Sequence, residues 1–493
     1  MFSNFLINLP VDLLGLFLLI LVFLLSFSFL FAIKKPHWLI YFLLVWLPLE
    51  NLILRYAPMG AYEYIKYLPE VLTYGFFFFT WYFYVKNTKQ LWPRLVINKW
   101  LFAFVGIGAV SLLFNWYSPM IWFLGMRQLL RFVLLVFIII FLRCEENIIK
   151  KIISVGAIVL GLEVLIGLAQ YLSGGALDRY LFFSPAVTIG GLAAVGGLEQ
   201  SWAPGSRVFA TLGRYDQMGS WLAVGLLLAF PFVYHLKNIK YRFYLLCGFF
   251  ISVLILGLTM SRASWLAFVF GIIAIGWFLY KEKKVLYVFG FFAVLLAGYL
   301  IGFAWARDNI SQITEKSRQT LAERMFEAVS PRAWQNSYDG YGRIFFIINT
   351  PRMVVPISPL WGVGPGNYGG GAAAALLNTE IYNRLRLPFG IQDIYGQIDN
   401  SWFSIWGEFG TLGLIFWAGI FVVIIKTAKN IYKSSGDGFA RLWSAGMIGA
   451  TVGVMVLGFF GPYFEFRSLM FYYWLGVGIL FLCHPLQTER MGD

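Results

Sequence analysis

Charge is scarce in this 493-residue chain. Asp, Glu, Lys and Arg together make up 13% of it, against 60% hydrophobic residues. With a mean hydropathy of +0.73, that balance excludes a soluble globular protein, which cannot hide so much apolar surface. Cysteine is scarcer still. Cys144, Cys247 and Cys483 are widely spaced and follow no metal-ligand pattern, so neither a disulfide framework nor a metal site is expected. Histidine occurs three times, at His37, His235 and His484. Acidic residues are outnumbered 24 to 38 by Lys and Arg, which leaves a net charge of +14.

What is plentiful is the run of about 20 apolar residues, the length that crosses a bilayer as a helix. Such runs lie near 9–33, 37–55, 67–85, 99–115, 119–142, 149–172, 217–235, 241–260, 262–280, 284–306, 401–426, 440–460 and 464–483. The second is short enough to be two interfacial pieces. The first has no basic residue before it and no small-residue cleavage site, and reads as a retained anchor. The basic residues fall in every second loop: Lys34 and Lys35; Lys86, Lys89, Arg94 and Lys99; Arg143, Lys150 and Lys151; Lys237, Lys240 and Arg242; Lys281, Lys283 and Lys284; Lys426, Lys429, Lys433 and Arg441. Thirteen spans with the N-terminus outside place all six clusters in the cytoplasm. These charges read as topology signals and contacts with anionic membrane lipid, not as a nucleic-acid surface.

The opposite side carries the 173–216 loop, a tight turn at Ser261–Arg262 and one large segment, 307–400. The expected fold is an all-α polytopic membrane protein of about 12–14 transmembrane helices, with one large extracytoplasmic loop domain roofing a cavity. Its divisions are 1–306, with ten spans and the outer loop 173–216; the loop domain 307–400; and 401–493, with three spans and a cytoplasmic tail. Within the loop domain, 312–328 reads as a helix and WGVGPGNYGGGAAAA (361–375) as a flexible glycine-rich turn. The internal repeat common in secondary transporters is absent.

Several arginines lie at or inside apolar runs on this side. Arg207 and Arg214 stand in GSRVFATLGRYDQMGSWLA, and Arg262 in LTMSRASWLAF. A guanidinium at membrane depth is costly and faces a cavity or a partner. Its planar fork matches phosphate oxygens two at a time and never titrates, so three converging forks suit a pyrophosphate. The alternative is snorkelling, or pairing with Asp216 or Glu465. Arg127 and Arg131, four apart in GMRQLLRFVLLVF, share a helix face and serve the same cavity, a lipid head group or helix packing. Glu163 and Glu408 lie inside spans, where a buried bond within the bundle is the plain expectation.

Together these stretches resemble the O-antigen ligase and O-antigen polymerase superfamily of bacterial membrane glycosyltransferases. The resemblance covers roughly residues 119–480. It is carried by RVFATLGRYDQMG, by the Ser-Arg turn of LTMSRASWLAF, by the stretch from Arg343 through PLWGVGPGNY, and by QIDNSWFSIWGEFGTLG at 397–413. In the last, the family pattern is a histidine; then Asn, Ser or Gln; nine residues; Gly; two residues; then Gly, Thr or Tyr. Here it reads Asp399, Asn400, nine residues, Gly410, two residues, Gly413.

The resemblance implies a helical bundle under an outer loop domain, and glycan transfer from a polyprenyl (undecaprenyl) pyrophosphate-linked oligosaccharide without a metal or other cofactor. It also implies a multi-pass protein of the bacterial inner (cytoplasmic) membrane with its active site on the extracytoplasmic face. By position, Arg207, Arg214 and Arg262 take the pyrophosphate, and so, with less support, does Arg343. A chain-length regulator is a family-level partner. All three histidines map to the cytoplasmic ends of helices, so none replaces the ligase histidine.

An aspartate can accept a proton from a sugar hydroxyl and orient it. Asp399 is therefore either the catalytic base, supported by Asn400, or a cap for the following helix, a task that Asn400 or Ser401 suits equally. The leading expectation is a polysaccharide polymerase that adds glycan, with inversion, to the non-reducing end of a second lipid-linked oligosaccharide. The alternatives are a ligase moving glycan to a lipid or protein acceptor, and, in a different class, a transporter or flippase. The apolar stretch 181–200 is a candidate groove for the lipid tail.

Overall fold

A computed structural model describes residues 35–57, 61–181, 188–189, 192–193, 205–235, 239–284, 287, 290, 330–436 and 438–483. The expected spans 9–33 and 284–306, the helix 312–328 and most of the stretch 181–200 lie outside the described residues.

The chain is a helical membrane bundle. Its principal helices are α1 His37–Tyr56, α2 Tyr62–Thr88, α3 Ile97–Asn115, α4 Pro119–Leu130, α5 Leu134–Leu142, α6 Glu146–Leu172, α7 Tyr215–His235, α8 Ile239–Leu258, α9 Arg262–Ile273, α10 Arg343–Asn349, α11 Gly371–Ala375, α12 Ser401–Ser434, α13 Phe439–Leu457 and α14 Arg467–Leu482. Among the described residues, seven helices are long and apolar enough to cross a membrane: α1, α3, α6, α7, α9 with the turn that continues it to Leu279, α12 and α13. The run 119–142 is bent by 58° between α4 and α5, and would make an eighth span if counted as one. α14 and most of α8 are apolar but shorter. The short run 37–55 is one continuous helix, not two pieces.

α13 is the hub. It packs on α7, α9 and α12, while α12 packs on α3, and α5 on α14 and α2. Lipid offers no hydrophobic drive between helices, so close backbone approach at small residues does the work. A Cβ on Gly271 of α9 would meet the Gly449 carbonyl of α13 at 2.8 Å, and one on Gly446 would meet the Leu228 carbonyl of α7 at 2.9 Å. Aromatics fill the remainder: Trp402, Trp417, Phe421 and Phe464 pack edge to face or tilted along the first half of α12.

A buried ionic knot ties α1, α2, α4 and α14 together. Glu70 receives Arg127 at 2.7 Å, Arg131 at 2.9 Å and Arg467 at 2.5 Å, and Arg467 also takes Glu50 at 2.8 Å. Arg127 and Arg131 are thus packing residues in this arrangement. Glu70 is 2% exposed, and its loss removes the carboxylate that three guanidiniums share, leaving Arg127 without its ion-pair partner. Glu70→Gln is expected to cost about 3–5 kcal/mol, read as a lowered thermal unfolding transition in detergent; an unchanged transition would contradict it.

The glycine-rich segment 361–375 is not a flexible turn. Its residues 362–373 are buried, and its backbone is woven into a break in α12. Gly410, at φ +66°, interrupts the α12 ladder. The freed groups bond to the incoming loop: Val363 N–H to Gly407 O (2.9 Å), Gly364 N–H to Glu408 O (2.9 Å), Thr411 N–H to Pro359 O (2.8 Å) and Leu412 N–H to Leu360 O (3.1 Å). Glu408 completes the seam by accepting the N–H of Gly366 at 2.9 Å, the bond within the bundle expected of it. The rest of the described loop region closes over a small core of Phe346, Val354, Tyr368, Ile381, Tyr382 and Ile398.

Candidate functional site

The residues of interest gather at one end of the bundle, where α7, α9 and α12 begin. Residues 205–214 reach it along a path set by polar side chains of α6. Gln170 accepts the N–H groups of Phe209 and Ala210 at 3.0 and 2.9 Å. Glu163 accepts the Thr211 N–H at 3.1 Å and also its hydroxyl. These bonds satisfy backbone donors that a non-helical segment would otherwise bury unpaired. They also account for the acid inside α6, whose partner is Thr211 and not a cation.

The path delivers Arg207, whose guanidinium lies 4.3 Å from the Tyr215 ring centroid, and Arg214. Arg214 is held in a two-point ion pair by Asp216, Nε to Oδ1 at 3.0 Å and Nη2 to Oδ2 at 2.8 Å. Of the two pairing partners weighed for these arginines, Asp216 takes this one. Glu465 instead accepts the Gly371 N–H at 2.8 Å and a long bond from Gln128. Arg262 opens α9 directly after Ser261 and is half-buried.

Asp399 sits immediately before α12. The cap question is resolved by geometry: Asn400 occupies the N-cap position with extended backbone, and its side chain accepts the Phe403 N–H at 3.0 Å. A second bond, from Asn400 Nδ2 to Phe459 O at 3.2 Å, ties the cap to the end of α13. Asn400 is the structural residue of the pair, and Asp399 has no capping task.

The Asp399 carboxylate meets Arg343 Nη2 at 3.4 Å, while Arg343 Nε donates to the Asp399 carbonyl at 3.1 Å and Nη2 donates to Phe460 O at 2.5 Å. Arg343 therefore staples the loop region to the start of α12 and the end of α13. Asp399 is enclosed by protein yet keeps 43% of its side-chain surface accessible. Enclosure raises its carboxyl above the ordinary aspartate range; Arg343 and Arg214 oppose the rise, and Asp216 adds to it.

Arg214 and Asp216 are thus within electrostatic reach of Asp399. Tyr463 is buried beside them. Burial keeps its phenol well above its usual range and neutral; it lies beside Ser261 and feels Asp216 and Arg343. Arg214, Arg343 and Asp399 form one group. Arg207 joins through Tyr215, and the Arg262 turn joins through Ser261 and Tyr463. Arg127 and Arg131 stand apart in the ionic knot, although Arg131 also donates to the Glu465 carbonyl at 2.6 Å. Sequence reasoning treated Asp216 only as a pairing partner and missed Tyr463. The one signal for either was the placement of Asp216 two residues after Arg214.

Chemically, the group offers guanidinium forks for a polyanion beside an accessible carboxylate able to take a proton. The pocket lined by Cys144, Glu146, Phe439 and Cys483 lies at the opposite end of the bundle and touches none of these residues.

Residues 247–418 match the family model described as O-Antigen ligase. The match covers Arg262, Arg343 and Asp399; Arg207 and Arg214 precede it. It supports the O-antigen ligase and polymerase superfamily and indicates a membrane glycosyltransferase of that type. No curated protein matches the chain.

Proposed function

We propose that this chain is a polysaccharide polymerase. It transfers glycan from a polyprenyl pyrophosphate donor to the non-reducing end of a second lipid-linked oligosaccharide, with inversion at the anomeric carbon. Arg207, Arg214 and Arg262 hold the leaving pyrophosphate, with Arg343 contributing mainly by fixing Asp399. Asp399 orients the acceptor hydroxyl and takes its proton as the oxygen attacks the anomeric carbon and the pyrophosphate departs. A carboxylate with a raised pKa is a stronger base than an ordinary one, and the guanidiniums meet charge that develops on the leaving group. Repeat units of O-antigen, capsule or exopolysaccharide all fit this chemistry. In this reading the site faces the extracytoplasmic side of the bacterial inner membrane, the side opposite the basic loops.

One observation carries the proposal: Asn400 caps α12, which leaves Asp399 accessible and pointed at Arg343 within reach of Arg214. A second reading is favoured by the description of the matched family, O-Antigen ligase: transfer of a finished glycan to a lipid or protein acceptor, with Asp399 in the histidine's place.

The two readings part in a reconstituted assay with a single lipid pyrophosphate-linked oligosaccharide as both donor and acceptor, chelator present. A ladder of lengths on a gel supports the polymerase. No elongation, with transfer appearing only when a distinct acceptor is added, replaces it with the ligase. The transporter alternative requires labelled substrate to cross the bilayer unchanged, with neither product.

A further inference from the structure

Two features of the arginine group have no explanation in simple pyrophosphate binding. The edge of Arg214 that matches a phosphate, its Nε and Nη2, is filled at both points by Asp216. The acid itself is fixed, because Asp216 Oδ1 also accepts the Gln217 N–H at 3.0 Å in the first turn of α7. A surface pair of this kind would be trivial. This one is 28% and 14% exposed and stands beside Asp399 and Tyr463.

We propose that Asp216 competes with the donor pyrophosphate for the fork of Arg214, and so acts as a positioning residue that weakens the hold on the leaving group and speeds its release. The inference rests on the reading of Arg214 as a pyrophosphate holder and adds a named tuning group to it.

The physical case is one of balance. An arginine cluster that grips a pyrophosphate in the transition state also grips the polyprenyl pyrophosphate product, and product release then limits turnover. An internal carboxylate two residues from the arginine supplies a ready replacement partner, so the guanidinium never passes through an uncompensated state as the product leaves. The same carboxylate disfavours a second negative charge nearby. It thereby helps keep Asp399 basic, alongside Arg343 of α10 and Arg214, which pull the other way. A donor whose phosphate oxygens fill both points of the fork displaces Asp216; a group presenting a single oxygen does not.

The test is Asp216→Asn, which keeps the hydrogen bond to Gln217 and removes the charge. Inorganic pyrophosphate is the probe, titrated as an inhibitor of transfer and as a direct ligand of the purified protein. The expected result is tighter pyrophosphate binding by roughly tenfold, the scale of a charge-assisted hydrogen bond. KM and kcat for the donor fall together, and the acid limb of the rate profile moves to lower pH, because a like charge facing Asp399 is gone. Unchanged pyrophosphate affinity with only a lower unfolding transition overturns the inference and makes the pair structural. If Asp216→Asn does not fold, Asp216→Ser carries the same test. The underlying reading fails separately. If pyrophosphate neither binds nor inhibits wild type, or if Arg214→Ala leaves its affinity unchanged, then Arg214 does not hold the leaving group and both ideas fall.

Discussion

Asp399→Asn leaves the protein folded and removes transfer. The fold survives because none of the bonds that anchor this corner needs the charge. Asn400 still caps α12, and Arg343 still donates to the Asp399 main-chain carbonyl and to Phe460 O. What is lost is the proton acceptor. General-base contributions of this kind are worth about 10²–10⁴ in rate, so turnover on a matched lipid-linked substrate is expected to fall to that extent while the unfolding transition stays near that of wild type. Near-normal turnover in the variant would remove Asp399 from the mechanism.

The second large effect is on the fold. Gly362→Ala is expected to prevent the loop from seating in α12. Gly362 sits at φ +71°, and a Cβ there would lie 2.4 Å from the Glu408 carbonyl group and 2.5 Å from Gly410 N, which are backbone atoms that cannot turn aside. Strain at a left-handed position and overpacking each cost about 1–3 kcal/mol. Their sum is comparable to the margin by which proteins hold together. The variant should express poorly, or melt well below wild type in detergent, and lose activity because Asp399 is carried on the displaced region. A wild-type melting profile would contradict the woven loop. Gly75, with nothing within 4 Å of the same construction, serves as the control for Gly→Ala itself.

These two positions also mark what could be read from the chain and what could not. The membrane class, the helical architecture and the run of stretches at 207–214, 261–262, 343 and 399–413 were all legible, because hydropathy, charge bias and the placement of arginine carry them directly. The state of the glycine segment was not. Glycine promises freedom in a sequence, yet here it permits contact: Gly125 and Gly366 approach so closely that a Cβ on the former would stand 2.3 Å from the nitrogen of the latter. The ionic knot was invisible because Glu70 lies 57 residues from Arg127 and 397 from Arg467, and no local pattern links them. The choice between Asp399 and Asn400 as cap was open because both residue types cap well; only the backbone geometry at 400 decides it. Asp216 was legible as a pairing partner of Arg214, but its nearness to Asp399 was not, because an acid in the first turn of a helix is ordinary.

The pH dependence follows from the same carboxylate. A base works only when deprotonated. Asp399 has a raised pKa, so transfer is fully available above that raised value and is lost as pH falls through it, at a pH above the ~3.9 of an ordinary aspartate.

The most direct test of the account is the pH–rate profile of wild type beside Asp399→His, which puts the family's histidine back in place. The account predicts an active variant whose acid limb is set by imidazole, with an unperturbed value of ~6.5, and so differs from that of wild type. An inactive but folded Asp399→His, or an acid limb that does not move with the residue, would contradict the assignment of Asp399 as the base.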